Sequence, residues 1–126
     1  MAGLQDHGPV DCSLDIDGNN IRRRTAIVTG GANGIGKAYT RALVAAGADV
    51  TIGDLNAAGG ERLVSEFPGK VHFVKCDVTS WHDQARLLRE AASFSPTNQV
   101  HFVVANAGMI RQDEVFAYAE EPMSQS

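Results

Sequence analysis

The chain has 126 residues, of which 44% are hydrophobic and 21% are charged, and it carries a formal net charge of −4 at pH 7. This size and composition predict a single globular domain with its own core, and the acidic balance favours neither nucleic acid nor a membrane surface as a partner. Cys12 and Cys76 form no CxxC pair, and no apolar run has the length of a signal peptide or a membrane span, so we expect a cytoplasmic protein.

The first 24 residues are rich in Asp, Gly and Asn and lack hydrophobic periodicity, which predicts a flexible leader over 1–24. From Thr25 onward, short apolar runs alternate with amphipathic segments. These runs have the length and composition of strands buried on both faces of a parallel sheet. The predicted strands cover 26–29, 50–53, 71–76 and 100–105.

Three amphipathic segments lie between these strands and predict helices over 35–46, 57–67 and 81–94. In the first helix, Tyr39 falls on the apolar face and is predicted to lie in the core. In the third, Ser80 and Asp83 have the spacing of a capping box. Regular alternation of strands and helices predicts an α/β fold with a parallel sheet and helices on both of its faces.

The most informative segment joins the first strand to the first helix and reads Thr-Gly-Gly-Ala-Asn-Gly-Ile-Gly, from Thr29 to Gly36. Such a turn directs free backbone N–H groups and the positive end of a helix dipole at one point, which suits a phosphate. Residues 31–37 also spell G-x-x-x-x-G-K, the beginning of a nucleotide P-loop. However, Ala38 lacks the hydroxyl that binds Mg²⁺ in that motif, so a dinucleotide is the favoured ligand.

Polar residues follow the other three predicted strands. Asp54 ends the second strand, where its carboxylate can accept hydrogen bonds from the adenosine ribose; a turn or helix-cap role is the alternative. Residues 53, 55 and 56 include no Lys or Arg that would compensate a 2′-phosphate, which favours NAD over NADP. Asp77 follows the third strand and Asn106 the fourth. Ligands of open parallel sheets bind beyond the carboxyl ends of the strands, so we expect one shared site.

Together, these motifs resemble those of the short-chain dehydrogenase/reductase family: Thr-Gly-x-x-x-Gly-x-Gly, an acidic residue after strand two, Asp-Val after strand three and Asn-Ala-Gly after strand four. The resemblance covers about residues 24 to 110. It implies an NAD(P)-binding, Rossmann-type doubly wound parallel sheet in the partial strand order 3-2-1-4. It also implies hydride transfer between a nicotinamide cofactor and an alcohol or carbonyl substrate.

The same resemblance implies a role for each motif. The glycines of the turn would line the pyrophosphate, Ile35 would lie against the cofactor, and Asp54 would hold the adenosine ribose. Residues 77–78 would contact the adenine, and residues 106–108 would flank the nicotinamide ribose. The predicted cofactor-binding residues are Gly30, Asn33, Gly34, Ile35, Gly36, Asp54, Asp77, Val78, Asn106, Ala107 and Gly108.

The family's catalytic residues have no counterpart in this sequence. They are a tyrosine with a lysine four positions later and an upstream serine, whereas Tyr39 and Tyr118 are followed at that spacing by Leu43 and Pro122. We therefore expect the cofactor-binding half of a dehydrogenase (25–110) with a truncated tail (111–126), inactive alone. Its fourth strand would be an exposed edge open to self-association. A non-catalytic NAD-binding module and an interaction module are the alternatives.

Overall fold

The computed structural model describes residues 8, 9, 13 and 18–108. In this part of the chain, a short 3₁₀ helix precedes a regular alternation of four strands and three helices. The elements are the 3₁₀ helix Gly18–Asn20, β1 Thr25–Thr29, α1 Gly34–Ala45, β2 Asp49–Asp54, α2 Ala57–Glu66, β3 Val71–Lys75, α3 Trp81–Phe94 and β4 Phe102–Ala105. The predicted tail at 111–126 lies outside the described residues.

The four strands form one parallel sheet in the order β3-β2-β1-β4, as predicted. β1 is central: Thr29 lies opposite Gly53 of β2 on one side and Ala105 of β4 on the other. The carboxyl ends of β1, β2 and β4 therefore meet at one edge of the sheet. None of the three described α-helices combines the length and the apolar character needed to cross a membrane.

Helices cover both faces of the sheet because successive side chains of a strand point to opposite sides. Ala26 and Val28 of β1 belong to one buried cluster, which includes Leu63 of α2. Ile27 points the other way and packs in a second cluster with Leu87 of α3. The apolar residues that predicted a doubly covered strand therefore fill two cores, one on each face.

Helix α1 packs through a face that differs from the predicted one. Its buried residues are Gly36 and Thr40, and the Thr40 hydroxyl donates a hydrogen bond to the Gly36 carbonyl oxygen (2.9 Å). The prediction that Tyr39 lies in the core is wrong, since its side chain is 48% exposed. Small residues at positions 36 and 40 bring the helix close to the sheet, and this rotates the larger side chain outward.

The packed structure extends into the segment predicted as a flexible leader. Ile21 is partly buried against the first core cluster, and the Arg23 N–H donates to the Gly47 carbonyl (2.9 Å). β4, in contrast, begins two positions later than predicted. The side chain of His101, rather than a backbone carbonyl, accepts the hydrogen bond from β1 at this point. Its ring Nδ1 accepts from the Thr25 N–H (3.0 Å), while its own N–H donates to the Thr25 carbonyl (2.8 Å).

Candidate functional site

A cleft of about 530 Å³ lies at the carboxyl ends of the strands, where the sequence placed the site. All the predicted cofactor-binding residues line it except Gly34 and Gly36. Three further lining residues, Gly53, Leu55 and Cys76, were not predicted. They could have been found because each is the sequence neighbour of Asp54 or Asp77 at the same strand ends. The lining residues are Gly30, Asn33, Ile35, Gly53, Asp54, Leu55, Cys76, Asp77, Val78, Asn106, Ala107 and Gly108.

The amino terminus of α1 opens at this cleft without a side-chain cap. Its N-cap residue, Asn33, makes no side-chain cap hydrogen bond. The other two helices are capped, α2 by the Asn56 side chain and α3 by the Ser80 hydroxyl. The first N–H groups of a helix have no intrahelical partner, so those of α1 are the donors left for a ligand. An anion there would also interact favourably with the helix dipole.

The glycines of the turn have different structural tasks. Gly30 (φ +68°) and Gly34 (φ +53°) adopt the left-handed conformation that other residues rarely take. Beside Gly34 there is open space, because no atom lies within 4 Å of where its Cβ would stand. Gly36 instead allows close packing: a Cβ there would overlap the Gly30 carbonyl and lie 2.6 Å from Nδ2 of Asn106. Gly36 therefore does not line the cleft itself but allows α1 to pack closely against Gly30 and Asn106, which do.

Asp54 connects the glycine turn to the end of β2. One carboxylate oxygen accepts from the Ala32 N–H (3.1 Å) and the other from the Asn56 N–H (2.9 Å). The turn role that the sequence left open for this residue is thus present in the structure. A carboxylate offers about four acceptor positions, so each oxygen keeps capacity for a ligand hydroxyl. Among the described residues that line the cleft there is no lysine or arginine.

The end of β3 supplies a carboxylate and a buried thiol. The N–H of Asp77 donates to Oδ2 of Asp83 (2.9 Å), which links the cleft to the first turn of α3. Ser80 accepts from the Asp83 N–H, so the predicted cap is present, but the Asp83 carboxylate bonds to Asp77. Burial, with a smaller contribution from Asp83, raises the pKa of the Cys76 thiol. The thiol therefore remains protonated near neutral pH and forms an apolar part of the wall.

The hydroxyl of Thr29 holds the far side of the cleft in place. It accepts hydrogen bonds from the N–H groups of Asn106 and Ala107, both at 3.1 Å. The Asn106 side chain in turn donates to the Gly30 carbonyl (3.4 Å). The segment after β4 is therefore fixed against the glycine turn. Ile35, which is 71% exposed, presents an apolar surface at the same cleft.

Lys37 lies away from this cleft. Its side chain lines a smaller cavity bounded by α1 and α2. A P-loop lysine must reach the phosphates held by its own glycine turn. The position of Lys37, together with the missing hydroxyl at Ala38, argues against a triphosphate site.

The cleft as a whole suits an elongated ligand. Such a ligand would have an anionic group at α1, hydroxyls at Asp54 and apolar surfaces at Ile35 and Val78.

Comparison with known proteins agrees with this description. The family model for short chain dehydrogenases matches residues 24–125. The 5′-hydroxyaverantin dehydrogenase of Dothistroma septosporum is 39% identical over 100 residues, which are 76% of this chain and 33% of that protein. The 3-beta-hydroxysteroid dehydrogenase of Comamonas testosteroni is 34% identical over 92 residues, 73% of this chain and 35% of that protein.

A solved structure gives the same result at the level of the fold. The 3-ketoacyl-(acyl-carrier-protein) reductase of Brucella melitensis, crystallised with NADH, superposes with a TM-score of 0.67 and 28% identity. The superposition covers 71% of this chain and 36% of that one. This chain thus spans about a third of the length of the relatives that it matches.

Proposed function

This chain belongs to the short-chain dehydrogenase family, and from that premise we propose that it binds NAD in the cleft at the ends of its strands. The observation that carries this proposal is the uncapped amino terminus of α1, which opens at the glycine turn while α2 and α3 are capped. The similar reductase from Brucella melitensis was crystallised with NADH, which supports a nicotinamide dinucleotide as the ligand.

The proposal assigns each part of such a cofactor to a different group of residues in the cleft. The pyrophosphate would lie at the α1 terminus, where Gly34 leaves open space. The adenosine ribose would lie at Asp54 and the adenine at residues 77–78, and the nicotinamide ribose would lie at residues 106–108, which Thr29 positions. A bound cofactor would supply or accept a hydride. The residues of this chain would hold the cofactor and place its nicotinamide ring near the end of β4.

The tyrosine–lysine pair that the resemblance to this family implies for proton transfer has no counterpart in residues 1–126. No tyrosine is followed four positions later by a lysine within residues 1–126. We therefore propose that the chain is the dinucleotide-binding portion of an alcohol or carbonyl oxidoreductase and does not catalyse the reaction alone. A binding module without catalysis is the alternative, and it predicts the same cofactor site.

The choice of cofactor tests this proposal. The chain is expected to bind NADH at least about tenfold more tightly than NADPH, because a 2′-phosphate would meet the Asp54 carboxylate without a basic residue in the cleft. Asp54→Ala should remove the preference by deleting both the ribose hydrogen bonds and the repulsion, each worth about 1–3 kcal/mol. Titration calorimetry of both cofactors measures the ratio.

Asp54→Asn provides the matched comparison. The amide removes the charge and keeps one oxygen acceptor for the Ala32 or Asn56 N–H, so the turn retains part of its support. We expect this variant to bind NADPH better than the unmodified chain does, with a smaller loss of NADH affinity than Asp54→Ala shows. Equal affinities of the unmodified chain for the two cofactors would refute the proposed role of Asp54.

A second candidate function is association through β4. Among the described strands, β4 pairs with β1 alone, and its residues Phe102 and Val103 are 41% and 58% exposed. Residues 102–108 carry no charge that would repel another strand edge. A second copy of the chain fits this edge, because two identical uncharged strands can pair about a two-fold axis. We propose that the chain self-associates in this way.

Light scattering tests the association. The unmodified chain should have at least twice the monomer mass at micromolar concentration. Val103→Lys should return it to a monomer, because lysine on an edge strand opposes pairing. Trp81→Lys, at an exposed position at the start of α3, is the matched control and should leave the mass unchanged. A monomeric unmodified chain would refute this second function.

A further inference from the structure

A second, smaller cavity lies behind the glycine turn, between α1 and α2. It has a volume of about 210 Å³. Three basic side chains line it: Lys37 and Arg41 from α1 and Arg62 from α2. Asn33 lines both this cavity and the dinucleotide cleft, so the two spaces adjoin.

The positive charge in this cavity is only partly neutralised. Arg41 forms an ion pair with Glu66 of α2 (3.0 Å). Within the described part of the chain, neither Lys37 nor Arg62 has an ion-pair partner. The four charged groups that line the cavity thus carry an excess of positive charge in a chain whose net charge is −4.

Electrostatic repulsion among these cations raises the free energy of the cavity when no anion is bound. Lys37 and Arg41 stand four residues apart on one helix, a spacing at which like charges repel. Arg62 faces them from α2, so packing of the two helices brings a third like charge to the same space. A bound anion would relieve this repulsion. A phosphate dianion matches it best, because guanidinium and ammonium groups are its preferred side-chain partners.

The walls of the cavity are fixed by the fold. Gly59 of α2 approaches the glycine turn so closely that a Cβ there would lie 3.2 Å from the Ala32 carbonyl oxygen. The Gly59 N–H is held by the Asn56 side chain (3.0 Å). The first turn of α2 is therefore packed directly against the glycine turn. Lys37 projects from α1 and is half-buried, whereas Arg62 projects from α2 and is exposed.

We propose that this cavity is a phosphate-binding subsite in which Lys37 and Arg62 hold the anion, with Arg41 shared between the anion and Glu66. The same chemistry serves a free phosphate monoester or the 2′-phosphate of a dinucleotide in the adjoining cleft. Asp54 lies on the cleft side of Asn33 and opposes a second negative charge there, so the free ion is the expected source. For this source, the subsite does not depend on the proposed cofactor function.

Inorganic phosphate is the probe that tests the subsite. Titrated at constant ionic strength, it should shift the backbone amide resonances around Lys37 and Arg62 in a saturable way. The double variant Lys37→Gln, Arg62→Gln should weaken this binding at least about tenfold, since both charge-assisted contacts are lost. Arg89→Gln, at an exposed arginine of α3 that lies outside the cavity, is the matched control and should leave the affinity unchanged.

Parallel titrations of NADH and NADPH separate the two sources. A free-phosphate site predicts that the double variant binds both cofactors as the unmodified chain does. Weaker binding of NADPH alone would support the subsite with the 2′-phosphate as its source. Phosphate shifts that are linear, or equal in the unmodified chain and the double variant, would overturn the subsite. If phosphate binds as expected but neither cofactor does, the proposed cofactor function fails and the subsite stands.

Discussion

The purified 126-residue chain is expected to bind NADH and yet to leave its absorbance unchanged across a panel of secondary alcohols, ketones and steroids. The substrate must be held within reach of the nicotinamide ring while a group of suitable pKa exchanges its proton. Tyr39 is half exposed on α1 and has Leu43 four positions later. Tyr118 lies outside the described residues and is followed at that spacing by Pro122. Neither tyrosine is followed four positions later by a lysine.

The rate of hydride transfer is expected to be far below that of a complete dehydrogenase. Loss of general acid–base catalysis alone costs about 10²–10⁴-fold, and loss of substrate positioning multiplies this factor. The assay should therefore run at high protein concentration, with cofactor binding confirmed on the same sample by calorimetry. Turnover that disappears in a Gly36→Ala variant would show that a catalytic group in this chain has been overlooked.

The second large effect is expected for Gly36→Ala, which should abolish measurable NADH binding and lower stability by about 1–3 kcal/mol. A Cβ at this position would overlap the Gly30 carbonyl and crowd the Asn106 amide at 2.6 Å. Both lie at the cleft, and a backbone carbonyl cannot turn aside as a long side chain can. α1 must then move away from the turn, and its first N–H groups no longer point toward the proposed position of the pyrophosphate.

Gly60→Ala is the matched control for this variant. Gly60 is buried in the first turn of α2, and a Cβ there would overlap the ring of Phe73. This substitution should also lower the unfolding temperature, because it overfills a packed contact. However, it lies outside the dinucleotide cleft, so NADH affinity should remain within about twofold. Equal loss of affinity in both variants would mean that Gly36 affects binding only through general stability.

The parallel sheet and the position of the cleft could be predicted from the sequence pattern, whereas the order of the strands followed only from the resemblance to the family. Short apolar runs such as that of β1 are typical of strands that are buried on both faces of a parallel sheet. The turn from Thr29 to Gly36 then fixed which helix terminus opens at the site. Most of the lining residues followed from this, since carboxyl ends of parallel strands meet at one edge.

Other features depend on contacts that no local pattern encodes. Tyr39 fits the apolar face by spacing, but the small residues Gly36 and Thr40 make the close contact with the sheet. The hydrogen bond from the Ala32 N–H to Asp54 joins residues 22 positions apart and arises from the conformation of the glycine turn. Likewise, Lys37 and Arg62 belong to different helices and share a cavity only through packing.

The pairing of β1 with β4 determines when the site can exist. Thr29 and Asn106 are 77 residues apart, and their hydrogen bond joins β1 to the segment that follows β4. As the chain leaves the ribosome, β1, β2 and β3 can pair while the cleft still lacks one wall. Closing so long a segment costs conformational entropy that the late contacts must recover. A dinucleotide that bridged the two strands would stabilise their pairing, so cofactor supply would act on the closure of the cleft during folding.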